Sequence, residues 1–134
     1  MTIDDLNILF VEALESNQRF KQLEFVWKIM NSPFTDYHYS LITDTSTNEP
    51  FRKILWSRFD QHGVDAENLL ISKLEHNEDV DFHAEIIFYL GRMIDKKGGE
   101  NKEKVLNLVK HYIENSDDYT RNRAIIVLGW IGNH

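Results

Sequence analysis

Six histidines are the residues of this chain best equipped for chemistry. His83 stands among Asp79, Asp81 and Glu85, and an imidazole beside a carboxylate is the pairing a general base uses. The plainer reading of the same residues is a partly exposed helix-start histidine steadied by neighbouring acids. As a metal site the cluster falls short. His83-x-Glu85 lacks the cysteine pair of a zinc deaminase, and no H-E-x-x-H occurs. His62, His76, His83 and His111 lie in separate segments without ligand spacing. Ser57 and Ser72 have no nucleophile-elbow context, and Gly98-Gly99 alone is a linker, not a phosphate loop. The absence of cysteine removes thiol catalysis, disulfides and thiolate zinc. The expectation is no catalysis, no metal and no cofactor.

Charge and aromatic residues are the remaining candidates, and they point to protein recognition. The stretch EHNEDVD carries Glu75, Glu78, Asp79 and Asp81, and ENSDD carries Glu114, Asp117 and Asp118. If the two turns stack, they form an acidic ridge suited to a basic partner; a merely solvated turn edge is the bland alternative. Tyr37 and Tyr39, either side of His38, are a second candidate contact, because loop aromatics are frequent interface anchors.

Helices must carry these residues. Only two prolines and six glycines interrupt the chain, and strand-like alternation is scarce. Leu6, Leu9, Phe10, Ala13 and Leu14 recur at helical spacing, behind a capping box of Thr2 and Asp5. Phe20, Leu23, Trp27 and Met30 repeat that stripe until Ser32-Pro33 stops it. Phe51, Leu55 and Phe59 mark another helix, ended by Gly63, and Asp65 is a candidate N-cap for a helix through Leu69, Leu70, Ser72 and Leu74. Further helices are expected over about 81–95, 102–115 and 120–133, for six or seven helices and no strand. Residues 32–50 read as a connector with a short helix over 35–42, and 95–100 as a polar, flexible linker.

Placing Leu90-Gly91 on Leu128-Gly129 sets an offset of 38 residues, which also pairs Leu70 with Leu108, Ile71 with Val109, Asn77 with Asn115, Asp79 with Asp117, Ile87 with Ile125 and Met93 with Ile131. A helix, an acidic turn and a helix, repeated, is the pattern of an α-solenoid, whose units cannot bury their apolar faces alone. In the second unit Asp117, Arg121, Ala124, Leu128, Gly129, Ile131 and Gly132 resemble the second half of a HEAT-like repeat of the phycobilin-lyase type. The first unit departs from it, with His83 for the arginine and Ile86 for the small alanine. Deoxyhypusine hydroxylase, of similar fold, holds metal through His-Glu dipeptides; none occurs here. The expected fold is all-α, a short α-solenoid of stacked antiparallel helix pairs. It forms one domain over 1–134, with divergent N-terminal helices over 1–63 and two HEAT-like repeats over 64–134.

Physical duties follow for the second unit. Asp117 caps a helix entrance, Arg121 pairs with it or ties one turn to the next, and Ala124 and Gly129 admit a neighbouring helix. Ala124, Leu128 and Ile131 form one apolar face of the last helix; Ile126 and Trp130 form another. A terminal repeat normally turns a polar face outward, so Ile126 and Trp130 imply self-association or further repeats beyond the sequence.

With 22 acidic against 15 basic residues, net charge −7, the chain repels phosphate, so no nucleic-acid partner is expected. The N-terminus lacks a signal-peptide pattern, and no apolar run reaches the ~20 residues of a membrane span, which points to the cytoplasm and to no membrane partner. Together these readings favour a non-catalytic module that binds a basic protein. Its sharpest form is an immunity protein neutralising a basic toxin. The alternatives are a HEAT-like lyase or accessory protein, or a metal-dependent enzyme, holding a small ligand between helices, and a piece of a longer repeat scaffold.

Overall fold

The computed structural model describes residues 1–97 and 99–132. Among them are eight α-helices, two 3-10 segments and no strand, so the chain is all-α. The helices are α1 (Ile3–Ser16), α2 (Arg19–Met30), α3 (Thr35–Ile42), α4 (Glu49–Ser57), α5 (Val64–Glu75), α6 (His83–Lys97), α7 (Lys102–Glu114) and α8 (Asp118–Ile131). Gly98 of the expected linker and Asn133 of the expected last helix lie outside the described residues. The chain divides into two compact units, Met1–Ala66 and residues 67 onward.

In the first unit α1 starts on the capping box read from the sequence. The Thr2 hydroxyl accepts from the Asp5 amide at 3.1 Å, and Asp5 accepts from the Thr2 amide at 2.9 Å. Those bonds hold the Asp5 carboxyl below the ordinary range. Leu6, Phe10 and Ala13 face inward as their spacing requires.

The second stripe turns the other way. α2 buries Gln22, Phe25, Val26 and Ile29, while Phe20 and Trp27 remain 63% and 64% exposed and Leu23 is also exposed. The helix is apolar around most of its circumference. Phe25 fits the aromatic cluster, with its ring 5.3 Å from Phe10 and 6.1 Å from Phe51, and this contact sets the rotation of α2.

Residues 32–50 contain α3 over the residues expected, then a turn, then the start of α4. Asn48 caps α4, its side chain accepting from the Phe51 amide, with Pro50 in the first turn. Phe51, Leu55 and Phe59 are fully buried.

α5 begins at Val64, before the boundary between the units, so Asp65 sits inside its first turn and is not the N-cap. The helix ends on Asn77 in the left-handed region, with the Glu78 amide donating to the Lys73 carbonyl and the Asn77 amide to Leu74, a Schellman-type stop. α6 extends through Lys97, so half of the expected linker is helical.

α6 and α8 pack closely, and Gly91 permits it: a Cβ there would lie 2.5 Å from Val127 Cγ1. Gly129, assigned that duty from the sequence, has open space around it. α8 buries Thr120, Ala124, Val127 and Ile131. Ile125, aligned with the buried Ile87, is 49% exposed, because in α8 Val127 and not Ile125 meets α6. The second apolar face of α8 is split. Trp130 is half-buried with its ring 5.3 Å from Phe88, whereas Ile126 is exposed.

Candidate protein-docking site

The second unit brings the two acidic turns to one cleft of about 380 Å³. Asn77 and Val80 come from the turn between α5 and α6; Glu114, Asn115, Ser116 and Asp117 come from the turn between α7 and α8. His83, Tyr112 and Thr120 form its inner wall and are all buried. The Tyr112 hydroxyl donates to the Leu74 carbonyl at 2.9 Å, a bond between positions one 38-residue offset apart. His83 stands edge-on to the Tyr112 ring at 5.2 Å.

His83 is not paired with the acids beside it in sequence. Its Nε2 lies 2.6 Å from the Glu78 carbonyl oxygen, an acceptor, so Nε2 carries the proton and donates. With the ring 3% exposed, both the base-like dyad and the partly exposed helix-start histidine give way to a buried side chain that closes the turn. Asp117 caps α8: Oδ1 accepts from the Thr120 amide at 2.7 Å, which lowers its carboxyl pKa. Asp79, aligned with it, takes a left-handed backbone and makes no side-chain cap, so the two turns are not copies. Arg121 pairs with Asp118 at 2.6 Å, not with Asp117, which is occupied by the cap.

Charge on this edge is one-sided. Over 73–82 and 111–121 there are seven carboxylates, Glu75, Glu78, Asp79, Asp81, Glu114, Asp117 and Asp118, against two cations, Lys73 and Arg121, a net of 2 − 7 = −5. Lys73 lies 3.6 Å from both Glu78 and Asp79. Glu114 and Asp117 line the cleft itself; the other five are exposed residues of the same two turns or, for Glu75, of the end of α5.

Tyr37 and Tyr39 belong to the other unit and are not joint surface anchors. Tyr39 is 6% exposed and packs toward Phe59, since α3 turns it into the core. Tyr37 is half-buried, donates to Asn7 Oδ1 at 3.2 Å, and has its phenol pKa raised by desolvation.

The first unit also contains a pair that spacing did not suggest. His38 Nδ1 and His62 Nε2 are 2.9 Å apart, and His38 Nε2 is 2.8 Å from the Leu55 carbonyl oxygen. The carbonyl fixes the proton on His38 Nε2, so Nδ1 accepts from His62 Nε2–H. Burial drives the His38 pKa down to about 3, with the Leu55 bond opposing and His62 adding, and desolvation also lowers His62 against the pull of Asp65. Among the described residues no group of three ligand-type side chains could hold a metal. The one sequence signal was that His38 shares a helix face with Leu41 and Ile42.

No helix among the described residues is long and apolar enough to cross a membrane. In comparisons with protein-family models, curated proteins and solved structures, the chain has no match in any of the three.

Proposed function

We propose that this chain is a non-catalytic protein-binding module whose acidic turn edge receives a basic partner protein. The observation that carries the reading is the convergence of two turns, distant in sequence, on one cleft, within segments 73–82 and 111–121 whose net charge is −5. Complementary potential of this kind speeds encounter and disfavours wrong partners more than it adds contact energy. The 38-residue offset bridged by Tyr112 and Leu74 supports HEAT-like pairing of α5/α6 with α7/α8 in a short α-solenoid. An immunity protein that occupies a basic cytoplasmic toxin is the sharpest form of this proposal, because an exposed acidic edge suits inhibition by occupancy.

The test uses the intact chain and a variant carrying Glu75→Lys, Glu78→Lys, Glu114→Lys and Asp118→Lys, which spares the Asp117 cap. Binding of an arginine-rich peptide is followed by fluorescence anisotropy across a salt series. The expected result is salt-sensitive binding to the wild type and loss of at least tenfold in the variant. Equal binding by both proteins removes the edge from the proposal.

A further inference from the structure

We infer that the face shared by α6 and α8 is a second docking surface, one that takes an acidic segment of a partner protein. It is separate from the acidic edge and does not depend on it. An unbroken cluster of rings and guanidiniums forms this face. The Phe88 ring lies 5.2 Å from Tyr89 on α6 and 5.3 Å from Trp130 on α8. The Arg123 guanidinium carbon sits 5.0 Å over the Phe88 ring and 5.4 Å over Tyr119, and that of Arg92 sits 5.7 Å over Tyr89. Helical spacing explains the continuity: Tyr119, Arg123, Ile126 and Trp130 share one stripe of α8, and Phe88, Tyr89 and Arg92 share one of α6. Tyr119 and Ile126 are 55% and 43% exposed, and the rest of the cluster is half-buried. Tryptophan, tyrosine and arginine gathered in this way are the composition of a binding hot spot.

The sign of the occupant follows from the two arginines. Arg121 pairs with Asp118, the common fate of a cation in a chain with 22 acids to 15 bases. Arg92 and Arg123 make no ion pair among the described residues. Glu85, one turn before Phe88 and Tyr89, pairs with neither, and its Oε2 is enclosed without a hydrogen-bond partner. α6 and α8 together carry Arg92, Lys96, Lys97, Arg121 and Arg123 against Glu85, Asp95 and Asp118, 5 − 3 = +2, in a chain of net −7. The Arg92 contact lies within one helix and ties no elements together; it holds a guanidinium on a ring with its N–H edge left to bond. Arg123 gives one N–H to the Tyr119 hydroxyl at 3.3 Å and keeps the others. Two stacked donor forks select a planar group that only accepts, and a carboxylate meets each fork with two parallel bonds. Ile126 and Trp130 beside them give apolar cover to an aliphatic neighbour of that carboxylate. Nucleic acid fits less well, because its phosphates form a continuous run that a chain of net −7 repels beyond these two arginines.

The test is fluorescence anisotropy of the whole chain with a short fluorescein-labelled peptide of glutamates carrying two leucines. It is run at about 150 mM salt, where screening over about 8 Å mutes the net charge and spares the local contact. Saturable binding is expected, and Arg92→Gln and Arg123→Gln should each weaken it at least fivefold while circular dichroism shows both folded. Arg123→Lys keeps the charge but loses the fork, and should weaken it at least twofold. No binding at about 1 mM protein, equal affinity for a peptide with glutamine in place of glutamate, or unchanged affinity in both glutamine variants overturns the inference. An oligothymidylate that binds more tightly than the peptide overturns it in favour of nucleic acid. Sedimentation velocity in which the wild type dimerises and Trp130→Ala does not overturns it in favour of a second copy of the chain. The acidic edge is read by the arginine-rich peptide, so either surface can fail while the other stands.

Discussion

One methyl group added at Gly91 and one added at Gly129 should move stability in opposite directions. Both glycines lie inside helices, α6 and α8, so alanine gains about 0.5–1 kcal/mol at each from backbone entropy and helix propensity. At Gly129 nothing stands within 4 Å of the new Cβ, and Gly129→Ala should stabilise by that amount. At Gly91 the new Cβ would sit 2.5 Å from Val127 Cγ1 and 2.6 Å from Cγ2, about 1 Å inside ordinary carbon contact. Val127 is wholly buried and β-branched, with one favoured χ1 in a helix, so it has no rotamer into which to retreat. The helices must part instead, and overpacking of this kind costs about 1–3 kcal/mol. The propensity gain is common to both variants, so the gap between them isolates the clash: Gly91→Ala should be less stable than Gly129→Ala by about 1–3 kcal/mol. Urea unfolding followed by circular dichroism reads this as a shift in midpoint at constant slope. Truncating Val127 should relieve the strain, so Gly91→Ala with Val127→Ala should be less destabilised than the sum of the two single changes. Equal stability of the two alanine variants, or strict additivity in the double mutant, would refute the close approach of α6 and α8.

The buried histidine pair makes stability depend on pH. With the folded pKa of His38 at about 3 against 6.5 unfolded, only the unfolded chain takes up its proton between those values, so stability is full above pH 6.5 and falls as pH drops toward 3. The slope is about 1.4 kcal/mol per pH unit, and comparing wild type with His38→Gln between about pH 6.5 and 5, above the ordinary carboxylate range, should show it; equal acid sensitivity in both would remove the pair as its source. The rotation of α2 is tested by two truncations. Phe25→Ala should cost about 3–5 kcal/mol and Trp27→Ala within about 0.5 kcal/mol, and a large loss at Trp27 would mean that the stripe on Phe20, Leu23 and Trp27 is covered.

Local signals carried much of the fold. The Thr2–Asp5 box started α1 because a cap is decided by residues three apart, and α3 fell over 35–42 because a short periodic run lies between turn residues. Phe51, Leu55 and Phe59 were legible as core because they recur four apart while Arg52, Lys53, Ser57 and Arg58 stand between them. The assignments that failed were those settled by partners distant in sequence. α2 has large apolar side chains on two faces, and periodicity cannot say which of them meets Phe10 and Phe51. Gly91 and Gly129 occupy equivalent positions of an internal alignment, yet only Gly91 lies where Val127 crosses.

The acidic edge shows the same division. That Glu114 and Asp117 belong with the turn around Asn77 and Val80 could be inferred from the 38-residue offset, and one cleft joins them. The offset did not reveal the depth of the site. His83 seemed a helix-start residue among acids, yet its ring turns inward because the Glu78 carbonyl, left open where α5 stops, takes the Nε2 proton. That bond seats the ring against Tyr112, whose hydroxyl in turn closes the Leu74 carbonyl. The carbonyls of Leu74 and Glu78 thus decide the orientation of the Tyr112 and His83 rings, and no residue pattern displays either bond.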